Sequence, residues 1–204
     1  MTNEHVERFN AAAQEYETDR YPGRGQCMRQ LLDLLKPQGE DVILDVGCGP
    51  GTQLVGLSPS IRSGYGLDPA GQMIRQAEQS ASDCPNLHFY VGSAGALPQG
   101  ICDLGVNKIF SNYALHHLDD EAKRRSILNL AALLPDNGMI VLGDLMFSDD
   151  PHKYEALFDI VGYGPGCDTP AQLSSVEDMF IEAGLSPRSH ILNPLVAVIV
   201  GRKT

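Results

Sequence analysis

A short apolar run that ends on a carboxylate and a cluster of glycines constrains this chain more than any other feature. Val42-Ile43-Leu44-Asp45-Val46 leads directly into Gly47-Cys48-Gly49-Pro50-Gly51. The first five residues have the length and apolarity of a buried strand. Glycines placed straight after a strand allow a tight turn and let a ligand approach the backbone closely. In an open parallel sheet, ligands bind beyond the carboxyl ends of the strands. A loop of this composition at this place is therefore a candidate binding site.

The rest of the chain repeats the alternation of short strands with helical stretches that marks an α/β fold with a parallel sheet. Further strands are expected at 65–68, 87–91, 108–112 and 139–142, and helices at 4–18, 25–36, 71–82, 119–134, 152–161 and 172–183. Asp119 or Asp120 suits the cap of the 119–134 helix. Runs at 190–192 and 195–200 are separated only by Asn193 and Pro194. So short a link permits only an antiparallel hairpin, so one strand of the sheet should run in reverse. With 204 residues, a single domain spanning 1–204 is the natural expectation.

Composition excludes several classes of function. The net charge of −11 argues against a nucleic-acid partner and against an anionic membrane surface, both of which select clustered Lys and Arg. The one basic run, Lys123-Arg124-Arg125, reads as a solvated helix face. No apolar stretch reaches the ~18 residues of a membrane helix. The first residues, with Glu4, His5 and Glu7, do not read as a signal peptide, so a cytoplasmic protein is expected. Five scattered cysteines without a C-x-x-C pair suggest free thiols, with neither a disulfide framework nor a metal site.

Two carboxylates narrow the ligand. Asp68 closes the second expected strand, where it can accept the hydrogens of both hydroxyls of a ribose. A dinucleotide fingerprint, G-x-G-x-x-G, is not met, because Thr52 stands at its sixth position. Asp45, two residues before the first glycine, would repel a pyrophosphate but suits a ligand with an ammonium group. A nicotinamide-dependent dehydrogenase is thus the weaker reading.

The run VILDVGCGPGTQL resembles the first motif of the class I S-adenosylmethionine-dependent methyltransferases, in their small-molecule type 11/25 group. GLDPAGQMIRQA at 66–77, FSNYALHHLDD at 110–120 and LLPDNGMIVLGDLMF at 133–147 resemble later blocks of that family, in its order and spacing. AAAQEYETDRYPGR at 11–24 is similar to its N-terminal lid.

The resemblance implies a Rossmann-like, doubly wound, seven-stranded sheet, mostly parallel with one antiparallel C-terminal strand. A helical lid would span 1–36 and a substrate-side cap 147–173. It implies S-adenosyl-L-methionine as cofactor and a small-molecule methyl acceptor, in a monomer or homodimer. Gly47, Cys48 and Gly49 would face the methionine part, with Asp45 and Asn112 nearby. Asp68 would hold the ribose, and Pro69 and Met73 would border the adenine. Ser93 stands where the family usually has an acid that binds the adenine amino group, so recognition would lean on Ser93 and the Ala94 amide. Tyr16 and Arg20 would close over the cofactor carboxylate. His116 and His117 are the candidates for a general base, one facing the site and the other packing under the next helix. Tyr113 would line the pocket. A protein that binds the cofactor without catalysis, as a sensor or partner subunit, is the reading from a different class.

Overall fold

The computed structural model describes residues 3–12, 22–165 and 168–204. Five parallel strands form the centre: β1 (Val42–Val46), β2 (Ser63–Asp68), β3 (Leu87–Val91), β4 (Lys108–Asn112) and β5 (Met139–Phe147). A two-residue strand, β6 (Ala171–Gln172), pairs with the end of β5. The last strands are β7 (Leu185–Asn193) and β8 (Val196–Lys203), and the sheet order is β3-β2-β1-β4-β5-β8-β7. β8 is antiparallel to both neighbours, so it is the single reversed strand of a Rossmann-like sheet.

Alternation along the strands builds two cores. Val42, Leu44 and Val46 of β1 point to one face, where they meet Ile127 and Leu130 of α5 (Asp120–Leu133) and Phe180 of α7 (Leu173–Glu182). Ile43 points to the other, where Cys27, Leu31 and Leu35 of α2 (Pro22–Leu35) cover it. The period of two in a strand produces this split, and a sheet buried on both faces explains why β1 is apolar apart from Asp45. On the same central strands, α4 (Gly71–Ser80) buries Met73, Ile74 and Ala77, and α1 (Asn3–Ala12) leans on it, Phe9 packing on Met73. No described helix is long and apolar enough to cross a membrane.

Several elements differ from expectation. A six-residue helix, α3 (Thr52–Leu57), follows the glycine loop and buries only Leu54, too little to leave a periodic signal. The expected helix at 152–161 is a 3-10 turn, Pro151–Leu157, followed by the four-residue α6 (Phe158–Val161). Non-helical backbone at Tyr154 interrupts it, and Asp150 caps its start through the His152 amide. β7 and β8 run longer than their apolar cores, because pairing along β8 carries polar residues such as Arg188 and Arg202 into the ladder. Their connection is Pro194-Leu195, fastened by Asn193 Oδ1, which accepts from the amides of Leu195 and Val196.

Lys123 corrects the reading of a wholly solvated basic face. It is buried, and its ammonium donates to the carbonyls of Leu118 and Thr169 and to Asp120. Its neighbour Arg124 does lie outside, paired with Glu182 of α7.

Candidate functional site

Strand order changes direction between β1 and β4, and the crevice at such a switch point is where open α/β sheets bind ligands. The glycine loop lies there. Gly47 has φ +75°, and a Cβ on it would stand 2.4 Å from that of Ala114, so only glycine lets this loop pass beneath the turn after β4. Gly49 has φ +52°, and a Cβ there would meet nothing within 4 Å, because it faces open space. Cys48 is buried and packs toward Gly66 of β2. Burial pushes its thiol well up, with Asp45 and Asp68 adding to the effect, so it fills space as a neutral group.

Asp68 is held by the loop it supports. One oxygen accepts from Gly49 N at 3.0 Å and the other from Ala70 N at 2.8 Å. Each oxygen keeps a lone pair for a ligand. Burial raises its pKa, and those two amides partly offset the rise. Asp45 is 3% exposed, and its carboxylate makes no hydrogen bond with any described residue. Burial pushes its pKa well up, and the charge of Asp68 pushes it further.

Three adjoining cavities share Gly47 as a wall and together form one cleft. The first, of about 290 Å³, is lined by Arg24, Met28, Asp45, Cys48, Asn112 and Tyr113, among others. The second, of about 50 Å³, lies between Phe9, Asp68, Pro69, Met73 and His117. The third, of about 310 Å³, is walled by Val6, Leu67, Ser93, Ala94, Leu118 and Arg125, among others. Asn112 Oδ1 is buried without a hydrogen-bond partner among the described residues, as is the Tyr113 hydroxyl. Tyr113 has φ +55°, a conformation that costs a bulky residue energy and that functional sites retain. The Arg24 guanidinium lies 5.3 Å from its ring centroid, and burial raises its hydroxyl pKa far above the ordinary range.

The two histidines part ways. His117 lines the cleft and touches the Phe9 ring, at 5.2 Å between centroids. His116 is 1% exposed and turns away from the cleft, its Nδ1 lying 2.5 Å from Asp144 Oδ1. Asp144 also accepts from the amides of Leu115, His116 and Leu145. Burial raises the Asp144 pKa, but the His116 imidazole and the hydrogen bonds outweigh it and hold the carboxyl below its usual range. Asp168 comes in from the 162–170 loop, 3.2 Å from His117 Nδ1 and 3.8 Å from His116 Nε2. Burial raises Asp168 too, and hydrogen bonds from His117 and Gly164 outweigh it. Burial pushes the His117 pKa down despite the carboxylate.

Asp45, Gly47, Cys48, Gly49, Asp68, Pro69, Met73, Ser93, Ala94, Asn112, Tyr113 and His117 thus meet in one cleft. Tyr16 and Arg20 lie outside the described residues. Asp144 and Met146 bound only a small void beside His116, away from the cleft. The aromatic residues of the 147–173 segment turn inward, where Phe158 and Tyr163 pack edge to face with each other and Tyr163 with Phe147. Sequence reasoning missed Arg24, Met28, Val6 and Phe9, whose helices reach the cleft only because α1 and α2 pack over it. Asp168 was missed because 51 residues separate it from His117.

A family profile described as a methyltransferase domain matches residues 43–138. An uncharacterized methyltransferase of Bacillus subtilis (strain 168), YcgJ, is 28% identical over 74% of this chain, and the match spans 58% of its own length. Another, from Alkaliphilus oremlandii (strain OhILAs), is 24% identical over 98% of this chain and 88% of its own. The crystal structure of YcgJ superposes with a TM-score of 0.72 at 20% identity, covering 88% of this chain and 98% of that one. The Burkholderia thailandensis 1,6-didemethyltoxoflavin-N1-methyltransferase, with S-adenosylhomocysteine bound, gives 0.71 at 17% identity, covering 98% and 87%.

Proposed function

We propose that the chain is a methyltransferase of the class I type, an S-adenosylmethionine-dependent enzyme that methylates a small molecule. The observation that carries this reading is a pair of unused acceptors, the Asp45 carboxylate and Asn112 Oδ1, buried beside Gly47 and opposite the oriented Asp68. Two acceptors in a site shielded from water suit an ammonium group, and a carboxylate with two free lone pairs suits a diol.

S-adenosylmethionine would supply an electrophilic methyl group on a sulfonium, ready for in-line transfer to a nucleophile. In this reading Asp45 and Asn112 take the ammonium, and the bare backbone of Gly47 and Gly49 lets the methionine part lie close. Asp68 binds the ribose hydroxyls. Leu67, Pro69, Met73 and Val6 enclose the adenine, whose polar edge meets Ser93 and the Ala94 amide. The acceptor enters beside Tyr113, Arg24 and Met28, within reach of His117. Alignment by such walls is worth roughly 7–11 kcal/mol of barrier in well-oriented reactions. Where the acceptor must lose a proton, a base such as His117 adds about 10²–10⁴-fold. His116, turned toward Asp144, positions the turn that carries His117. The Burkholderia structure, with S-adenosylhomocysteine and 1,6-didemethyltoxoflavin bound, supports both the cofactor and a small-molecule acceptor. The net charge of −11 argues against nucleic-acid and anionic-membrane partners.

Calorimetric titration with S-adenosylmethionine and with nicotinamide dinucleotides tests the reading, followed by assay of S-adenosylhomocysteine release across phenols, amines, thiols and carboxylates. Binding of S-adenosylmethionine and product release with one acceptor class are expected. Binding of a dinucleotide alone would overturn the cofactor. Cofactor binding with no release from any acceptor would make the chain a sensor.

A further inference from the structure

We propose that His116 Nε2, His117 Nδ1 and a carboxylate oxygen of Asp168 form a binding site for one divalent metal ion of the zinc class. All three donor atoms lie within 4.8 Å of one another. Asp168 Oδ1 is 3.2 Å from His117 Nδ1 and 3.8 Å from His116 Nε2. Donors around a tetrahedral zinc ion, with bonds of about 2.0–2.2 Å, stand about 3.3 Å apart. The two measured separations bracket that value, so binding needs shifts of well under an ångström between those pairs. Two imidazoles and one carboxylate are a donor set that suits zinc and its first-row neighbours.

The hydrogen-bond network prepares the site. Asp144 accepts from three backbone amides, and it acts only as an acceptor toward His116 Nδ1 as well. His116 therefore carries its proton on Nδ1, and the lone pair of Nε2 points at the Asp168 carboxylate. A lone pair and a carboxylate facing one another at 3.8 Å call for a positive species between them. A carboxylate behind a histidine, fixing its tautomer and orientation, is the usual arrangement behind metal-binding imidazoles.

Asp168 is equally fixed. Its Oδ2 accepts from Gly164 N at 2.8 Å. The next residue, Thr169, donates to the His116 carbonyl through its amide at 2.7 Å and to the Leu118 carbonyl through its hydroxyl at 2.7 Å. The Lys123 ammonium joins the Leu118 and Thr169 carbonyls from behind. The loop and the histidine turn, far apart in sequence, are thereby tied together on both sides of the donors. Three protein donors leave a coordination position open. His117 is also a wall of the cleft, beside Asp68 and Tyr113, so that position is accessible to a small ligand from the cleft. The site itself is independent of the methyl-transfer reading. Its use as a Lewis acid toward an acceptor oxygen rests on that reading.

Metal uptake is tested without cofactor, so its outcome stands apart from methyltransferase activity. The full chain is stripped with a chelator and titrated with Zn²⁺ against a chromogenic competitor, alongside His117→Ala and Asp168→Ala. One equivalent is expected for the parent chain, with affinity falling at least about tenfold in each folded variant. No uptake by the parent, or unchanged affinity in either folded variant, would overturn the proposal and leave a proton as the species between the groups. Should the variants fail to fold, the visible spectrum of the parent chain with Co²⁺ decides. The strong bands of a tetrahedral protein-bound ion support the site, and the weak spectrum of the hydrated ion overturns it.

Discussion

One pair of carboxylates lines the cleft and a second stands behind it at the histidine turn, and the protein treats them in opposite ways. Asp45 and Asp68, on β1 and β2, are pushed up in pKa by burial, and Asp45 has no hydrogen bond from the described residues. Asp144 is as deeply buried as Asp45 and Asp168 is half-buried, and imidazoles and amides hold both below the usual carboxylate range. An unpaired buried carboxylate is costly, and a folded protein tolerates it where a ligand supplies the missing charge. A carboxylate satisfied from within contributes to the fold itself. Losses at the first pair should therefore appear in ligand binding, and losses at the second in stability.

The largest expected effect is at Asp144. Asp144→Ala removes the acceptor of three amides and one imidazole, and should destabilise the chain by about 3–5 kcal/mol in urea unfolding. A loss below about 1 kcal/mol would break the distinction between the pairs. Next comes Asp68→Ala, expected to weaken S-adenosylmethionine binding at least tenfold, or about 1.4 kcal/mol, by calorimetry. Unchanged affinity in the folded variant would remove the ribose assignment.

Asp45 sharpens the comparison through pH. An ammonium partner favours the ionised carboxylate, so the bound form has the lower pKa. Affinity is therefore full above the raised pKa of the free protein and declines as pH falls through it, starting above the ordinary value near 3.9. Asp45 faces Asp68 and the Cys48 thiol there, and Asp68 adds a weaker titration of the same sign. Asp45→Asn should bind more weakly at neutral pH and lose most of that slope. A slope identical to the parent's would show that Asp45 is not the titrating group. The smallest effect belongs to Tyr113→Phe. Its hydroxyl has no hydrogen-bond partner among the described residues, so stability should move by less than about 0.5 kcal/mol, and only turnover should fall. A large drop in melting temperature would reveal a structural partner for that oxygen.

Much of this was legible in the chain because it rests on local physics. The run Val42–Val46 reads as a buried strand and is one, but its place between the 63–68 and 108–112 strands was decided by the folded sheet, since two other strands separate it from the latter along the chain. The two-residue link before β8 forced a reversed strand. Asp45, Gly47, Gly49 and Asp68 lie within one strand-loop-strand unit, so the sequence already brings them together. The histidine pair was visible as a pair, but its division of labour was not. Which ring turned into the cleft depended on Asp144, 28 residues from His116, entering hydrogen-bond distance.

The sequence by itself determined the parallel sheet, the reversed strand and the binding loop, since strand period, glycine conformation and turn length are properties of neighbours along the chain. Only the tertiary structure decided which helices wall the cleft, which lysine is buried and which carboxylates find partners. Those outcomes depend on the packing of α1 and α2 over the cleft and of Asp168 against the histidine turn, where residues distant in sequence share one desolvated space.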